Sequence, residues 1–139
     1  AHDSYNLGDE INMIRWRAKV EHLATAAYVR GLIAMRRAHP IFRPGPADES
    51  PLLLLDDDLG LSVPPKAVGF VLRRRAAASE LKEVAVLANA NVIPQTFHLP
   101  FKRWQVFADH MHAQALPRGT YVGKAIVVPP RSAWILGRS

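Results

Sequence analysis

Cysteine is absent from the 139 residues, which excludes a disulfide framework, a thiolate zinc site and a cysteine nucleophile. Long apolar runs are absent too. Nothing approaches the ~18 residues a membrane-crossing helix needs, so no membrane partner is expected. No serine sits in a G-x-S-x-G elbow, and no glycine-rich phosphate loop occurs. Internal repeats and low-complexity tracts are missing. The opening Ala1-His2-Asp3-Ser4-Tyr5 has neither a Met nor the basic-then-apolar pattern of a signal peptide. A processed chain, or a piece of a longer polypeptide, is the expectation.

What is present is an ordinary globular composition, 49% hydrophobic and 22% charged, in 15.4 kDa. One domain, or one plus a piece, fits this length, and such a chain buries roughly two thirds of its unfolded surface without staples. Acidic residues are in the minority, twelve against eighteen Lys and Arg, for a net charge of +6. Residues 1–50 are nearly balanced and the surplus falls in 51–139. Only Arg73, Arg74 and Arg75 form a run, and three neighbours on a strand alternate between faces, so no common patch is expected. Without interleaved aromatics or a recognised motif, nucleic acid is not an expected partner.

Along the chain, residues 1–16 are polar and rich in Asn and Asp, an ordered loop by composition. Residues 18–38 predict one long helix, with Val20, Leu23, Ala24, Ala27, Tyr28, Gly31 and Met35 as its buried stripe. Gly31 inside it costs about 1 kcal/mol relative to Ala, which points to close packing against another backbone. His39-Pro40 ends the helix. From Pro51 onward short apolar runs alternate with turn residues, predicting strands at 52–55, 67–73, 83–88, 95–99, 103–108, 120–128 and 132–136. Their spacing argues for an antiparallel sandwich or barrel, with a boundary near residue 48 that divides the chain into 1–47 and 48–139. A lone helix with an apolar stripe needs a partner layer, from the sandwich or from something beyond this sequence.

Candidate chemistry is sparse. His110 and His112 form an H-x-H pair without a third ligand at a recognisable spacing. Asp56-Asp57-Asp58-Leu59-Gly60 lacks the ligand pattern of a calcium loop, and both segments are expected to be solvated turns. Asp3, Asp9 and Glu10 are the densest carboxylates, with no evident source of a raised pKa. No catalytic machinery follows from the residues alone.

The segment Asp3-Ser4-Tyr5-Asn6-Leu7-Gly8-Asp9-Glu10-Ile11-Asn12, followed by Trp16, resembles the stretch after the eighth barrel strand of type I pullulanases, α-1,6-debranching members of the α-amylase clan. Tyr28 to Arg43 (YVRGLIAMRRAHPIFR) resembles that family's signature on the last barrel helix. Val84 to Asn91 (VAVLANAN) is similar to a strand and turn of its C-terminal β domain, and Pro130 to Leu136 to its final strand. The similarity runs in order through nearly the whole chain.

The resemblance implies a fold: the end of a (β/α)8 barrel, its last βα loop and long helix in residues 1–47, then an all-β antiparallel sandwich in 48–139. It implies a parent that hydrolyses α-1,6-glucosidic branches in pullulan, starch or glycogen-like α-glucans with retention. In that family the catalytic carboxylates precede the segment beginning at Ala1, so this chain alone is expected to be inactive. It implies α-glucan and the remainder of the barrel as partners, no cofactor in this chain, and room for calcium in the parent. The aspartate matching Asp9 contacts glucose units in the family. Tyr5, Asn6 and Asn12 stand beside it in the substrate-binding loop, chiefly shaping it, and Trp16 is expected in the core. Some relatives carry an arginine four residues after this aspartate, where this chain has Met13, with Arg15 as a candidate replacement. The alternative is a non-catalytic carbohydrate-binding sandwich using Trp104, Phe107, Tyr121 or Trp134, although alternation puts at least half of these in the core.

Overall fold

The computed structural model describes residues 5–44, 52–75 and 80–139. Asp3, Ser4 and the boundary expected between residues 47 and 48 lie outside them. The helix predicted over 18–38 is present but not continuous. It divides into α2 (Ala18–Glu21) and α3 (Leu23–Ala38), separated by His22 at φ −121° and ψ 44°. The hydrogen-bond path survives on both sides of this one residue: the His22 N–H donates to Ala18 and its carbonyl accepts from Ala26. No Gly or Pro marks the distortion in the sequence. The polar loop before it contains one helical turn, α1 (Asp9–Asn12). Pro40 stops α3 as expected and opens a 3₁₀ turn, Pro40–Phe42.

Among the described residues eight strands follow: β1 (Leu52–Leu54), β2 (Ala67–Arg73), β3 (Glu83–Asn89), β4 (Gln95–His98), β5 (Arg103–Ala108), β6 (Gly119–Val122), β7 (Ala125–Val128) and β8 (Ser132–Arg138). Six pair in the order β1-β2-β3-β8-β5-β6, and β4 pairs with β7 in a second sheet. Every ladder is antiparallel. The strand predicted over 120–128 is two strands in different sheets. The chain crosses between sheets at Gly123 and Lys124, where Gly123 N–H donates to Lys102 and Lys124 accepts from Leu99. The facing segment 99–102 crosses beside it in the opposite direction, so these backbone groups at the corner stay paired.

The large sheet is covered on both faces. On one face Val71, Ala85, Leu87, Trp104 and Leu136 pack against Phe97, Ile126 and Val128 of the small sheet. On the other, Val84, Phe107 and Ala108 pack against Met35 of α3 and Ile41 of the 3₁₀ turn. β3 displays the period-2 logic: Ala85 and Leu87 face the small sheet, and Val84 faces the helix. Burial on both faces is why this strand reads as an unbroken apolar run.

Candidate functional site

Tyr5, Asn6, Asp9 and Asn12 lie together in the loop that leads into the helices, and all four are exposed, Tyr5 at 94%. Local bonds shape the loop. The Gly8 carbonyl accepts from the Ile11 and Asn12 N–H groups, the Asn12 side-chain amide donates to Leu7 at 2.7 Å, and Arg15 donates to the Glu10 carbonyl at 3.4 Å. Asp9 opens the helical turn with its carboxylate in the first turn. Arg15 is thus held from the main chain of the same turn. Trp16, expected in the core, is 76% exposed.

The predicted buried stripe divides along its length. Val20 and Leu23 are 71% and 61% exposed, and Ala24 and Ala27 are exposed as well. Tyr28 and Gly31 are half-buried, and Met35 is 2% exposed. The reason is what lies beneath each turn. The Tyr28, Gly31, Met35 and His39 positions rest on the β5–β6 connection, and nothing described covers the earlier turns' outer face. Tyr28 Oη donates to the Asp109 carbonyl at 3.0 Å, and His39 Nε2 donates to the Ala115 carbonyl at 2.7 Å. A Cβ added at Gly31 would stand 1.7 Å from the Ala113 carbonyl oxygen, so the close backbone approach expected for this glycine is real. The His39 ring packs edge-on against Phe107 at 5.2 Å.

Asp109 organises that connection. Its Oδ1 accepts from the Met111 and His112 N–H groups at 2.8 Å each, and Arg118 approaches Oδ2 at 3.5 Å. Burial acts to raise its carboxyl pKa, but the two backbone donors, the His112 ring and the Arg118 guanidinium outweigh burial and hold it below the usual carboxylate value. Tyr28 is pushed above the ordinary phenol value by burial and by the nearby Asp109 charge. His110 and His112 therefore sit in a turn pinned by Asp109. Among the described residues no three His, Cys, Asp or Glu side chains gather as a metal site. The Asp56–Asp58 segment is a turn closed by Asp58 Oδ2 accepting from the Leu54 N–H at 2.7 Å, with Gly60 at φ +62°.

Between the first turns of α3 and the ends of β3 and β8 runs an open groove of about 960 Å³, lined by Ala24, Thr25, Tyr28, Met111, Ala133 and neighbours. At its floor lies Asn89, 2% exposed. Its amide nitrogen is 3.0 Å from the carbonyls of Ile93, Val128 and Pro129, and its oxygen accepts from the N–H and side-chain amide of Asn91. Asn91 also donates to Pro65 at 2.8 Å, and its carbonyl accepts from Arg131. Two non-glycine residues with left-handed backbone among the described ones, Lys66 at φ 56° and Arg131 at φ 48°, flank this knot. Two asparagines thereby tie three turns together. The repeated Asn in VLANAN was their signal in the sequence, and its structural reading required the turns it joins.

The aromatic candidates separate. Trp104 and Phe107 are buried on opposite faces of the large sheet, while Tyr121 and Trp134 are half-buried against the first core. Trp104 and Phe107 offer no sugar platform. The expectation that Arg73, Arg74 and Arg75 form no common patch fails. β2 ends at Arg73, so strand alternation stops there, and all three line one cleft with Lys82 and Arg138.

A docked helix, a six-stranded antiparallel sheet and a small covering sheet define a β domain of the kind found at the C-terminal end of pullulanases. No protein-family model matches the chain. Solved structures do. A pullulanase from Bacillus acidopullulyticus matches 99% of this chain and 16% of its own length, at 26% identity and a TM-score of 0.79. A variant pullulanase from Paenibacillus barengoltzii, complexed with maltotriose, matches 99% of this chain and 20% of its own, at 29% identity and a TM-score of 0.70. The type I pullulanase from Bacillus subtilis, complexed with maltose, has the same fold over 99% of this chain at 22% identity and a TM-score of 0.74. The chain matches the C-terminal region of pullulanases over 99% of its residues, and it spans a fifth or less of the length of these three structures.

Proposed function

We propose that this chain is the C-terminal part of a pullulanase-type retaining glycoside hydrolase that cleaves α-1,6-glucosidic branches in α-glucans. On this reading α2 and α3 are the last helix of a (β/α)8 barrel, the loop around Asp9 borders its active site, and the β domain caps it. The observation that carries the reading is the helix's outer face, with Val20, Leu23, Val29 and Ile33 exposed although the helix is docked on its own sheet. Covering such side chains is worth about 1.5–3 kcal/mol each, and barrel strands from the same polypeptide are the occupant the reading supplies. Support for the substrate class comes from the maltotriose complex of the Paenibacillus relative.

The catalytic carboxylates belong to earlier barrel strands in this reading. The intact polypeptide therefore releases maltotriose from pullulan, and the chain alone releases none. Release by the chain alone, or none by the intact enzyme, would overturn it. Asp9 acts as an acceptor for glucose hydroxyls, for which an exposed carboxylate is suited. Asp9→Ala in the intact enzyme should lower kcat/KM on pullulan about tenfold with unchanged thermal stability.

A non-catalytic carbohydrate-binding role for the β domain is the second reading, favoured by a core closed between its own two sheets. It requires saturable maltotetraose binding that survives loss of the loop around Asp9.

A further inference from the structure

At the end of the large sheet where β2, β3 and β8 stop together, Arg73, Glu83 and Arg138 face one another across the strands. Arg73 Nε meets Glu83 Oε1 at 2.8 Å and an Arg138 terminal nitrogen meets Oε2 at 2.9 Å, so one guanidinium holds each carboxylate oxygen. The Arg138 guanidinium also lies 3.8 Å from the centre of the Phe101 ring. Its backbone carbonyl accepts from Lys82, which fixes the strand beneath it. Arg138 is thus held from three sides before any ligand arrives.

Arg73, Arg74, Arg75, Lys82, Glu83 and Arg138 line one cleft of about 440 Å³, together with Phe101 and Ser139. Among the described residues Arg73, Arg75, Lys82 and Arg138 gather there around the Glu83 carboxylate. In a chain that already carries +6, gathering like charges opposes folding unless an anion joins them. A guanidinium carries five N–H donors, so one bond to Glu83 exhausts neither Arg73 nor Arg138. Planar forks held in place, flanked by more mobile cations, suit an oxyanion with more than one charge. The volume of this open cleft lies in the range of small-molecule sites.

We propose that this cleft binds a phosphate-bearing small molecule, with Arg73 and Arg138 as the fixed donors and Arg75 and Lys82 closing on the anion. The site is independent of the debranching reading, because it uses residues at the opposite end of β3 from Asn89 and the groove beside α3.

The test is equilibrium binding to the intact polypeptide at low salt, with glucose 6-phosphate, inorganic phosphate, acetate and glucose as probes. Glucose 6-phosphate should bind saturably, and R75Q/K82Q should weaken it at least tenfold, whereas Lys19→Gln, in α2, leaves it unchanged. Tighter binding of glucose 6-phosphate than of phosphate assigns the cleft to a phosphomonoester. Equal binding assigns it to free phosphate, which has the same chemistry. No saturable binding of either phosphate probe, or equal binding of acetate or glucose, overturns the proposal. So does an R75Q/K82Q protein that binds normally, or a stronger response to a single-stranded oligonucleotide than to either probe. A readout on the unmodified protein guards against a variant that misfolds. Phosphate should protect Arg73, Arg75 and Arg138 from phenylglyoxal, and protection confined to arginines elsewhere would also overturn the site.

Discussion

Residues 52–139 and residues 5–43 are built from similar proportions of apolar side chains, yet they bury them differently. In the β domain the core between the sheets is closed: Phe97 and Ile126 of the small sheet pack on Leu87, Trp104 and Leu136 of the large one. In the helical segment Met35 and Ile41 are buried, while Trp16, Val20, Leu23 and Ile33 stand exposed. The difference lies in geometry rather than composition. A strand pair folded over a sheet encloses a volume, whereas a helix lying on a sheet encloses only the stripe beneath it. The helical segment therefore leaves its outer face exposed, and the β domain is a closed unit that holds its inner face.

The largest way to break that closed unit is at Asn89. Asn89→Ala removes the groups that join three turns, takes the side-chain donor from the buried Val128 carbonyl and leaves Pro129 only its bond from Ser132 Oγ. It should cost about 3 kcal/mol in urea unfolding, with the strands melting as one transition. The docking of the helix is broken next, at Gly31. Gly31→Ala gains about 1 kcal/mol of helix propensity but drives a methyl into the Ala113 carbonyl. The net expectation is about 2 kcal/mol lost from the helix contact. Faster proteolytic cutting between α3 and the sheet, with the β domain's own unfolding unchanged, is the readout.

Asp109 sharpens the comparison through pH. Its carboxyl pKa is depressed in the folded chain, so the unfolded state binds the proton more tightly. The stabilisation is complete above the ordinary carboxylate value of about 4 and is lost as pH falls through the folded value. Asp109→Asn should flatten this acid limb by less than about 1 kcal/mol, measured as thermal midpoint against pH. Smallest of all is Leu23→Ala, which should change the stability of the 139-residue chain by no more than about 0.5 kcal/mol because the side chain is already exposed. In the intact polypeptide the same change should cost about 2 kcal/mol or more if barrel strands cover it. Equal small effects in both would remove the interface.

Much of the architecture was legible in the residues. Alternating apolar runs between Pro, Gly and Asn turns located the strands, because a pleated chain exposes side chains with period 2 wherever it forms. Gly31 was read as a close approach, and Ala113 supplies the backbone it approaches. The undivided strand over 120–128 was misread because period-2 alternation continues smoothly across Gly123 and Lys124, while the sheet to which each half pairs is a matter of distant partners. The arginine run was misread for a related reason: alternation holds only while the strand lasts, and β2 stops at Arg73. In the candidate site the sequence singled out Tyr5, Asn6, Asp9 and Asn12, which the structure gathers in one exposed loop. The Asn89 knot and the basic cleft were not legible, since each joins residues from three or more separate segments, and neither was the Asp109 contact with Tyr28, which spans 81 residues of chain.

By itself, then, the order of residues determined most of the local conformations, the end of the helix at Pro40 and the resemblance to pullulanase C-terminal regions. Each of these depends on neighbours within a few turns of chain or on the order of motifs along it. Only the tertiary structure decided which half of the helix stripe is buried, how the strands divide between two sheets and which cations share a cleft. Those outcomes depend on what lies across a gap of a few ångströms, and residues far apart in the chain meet there only after the sheet has formed.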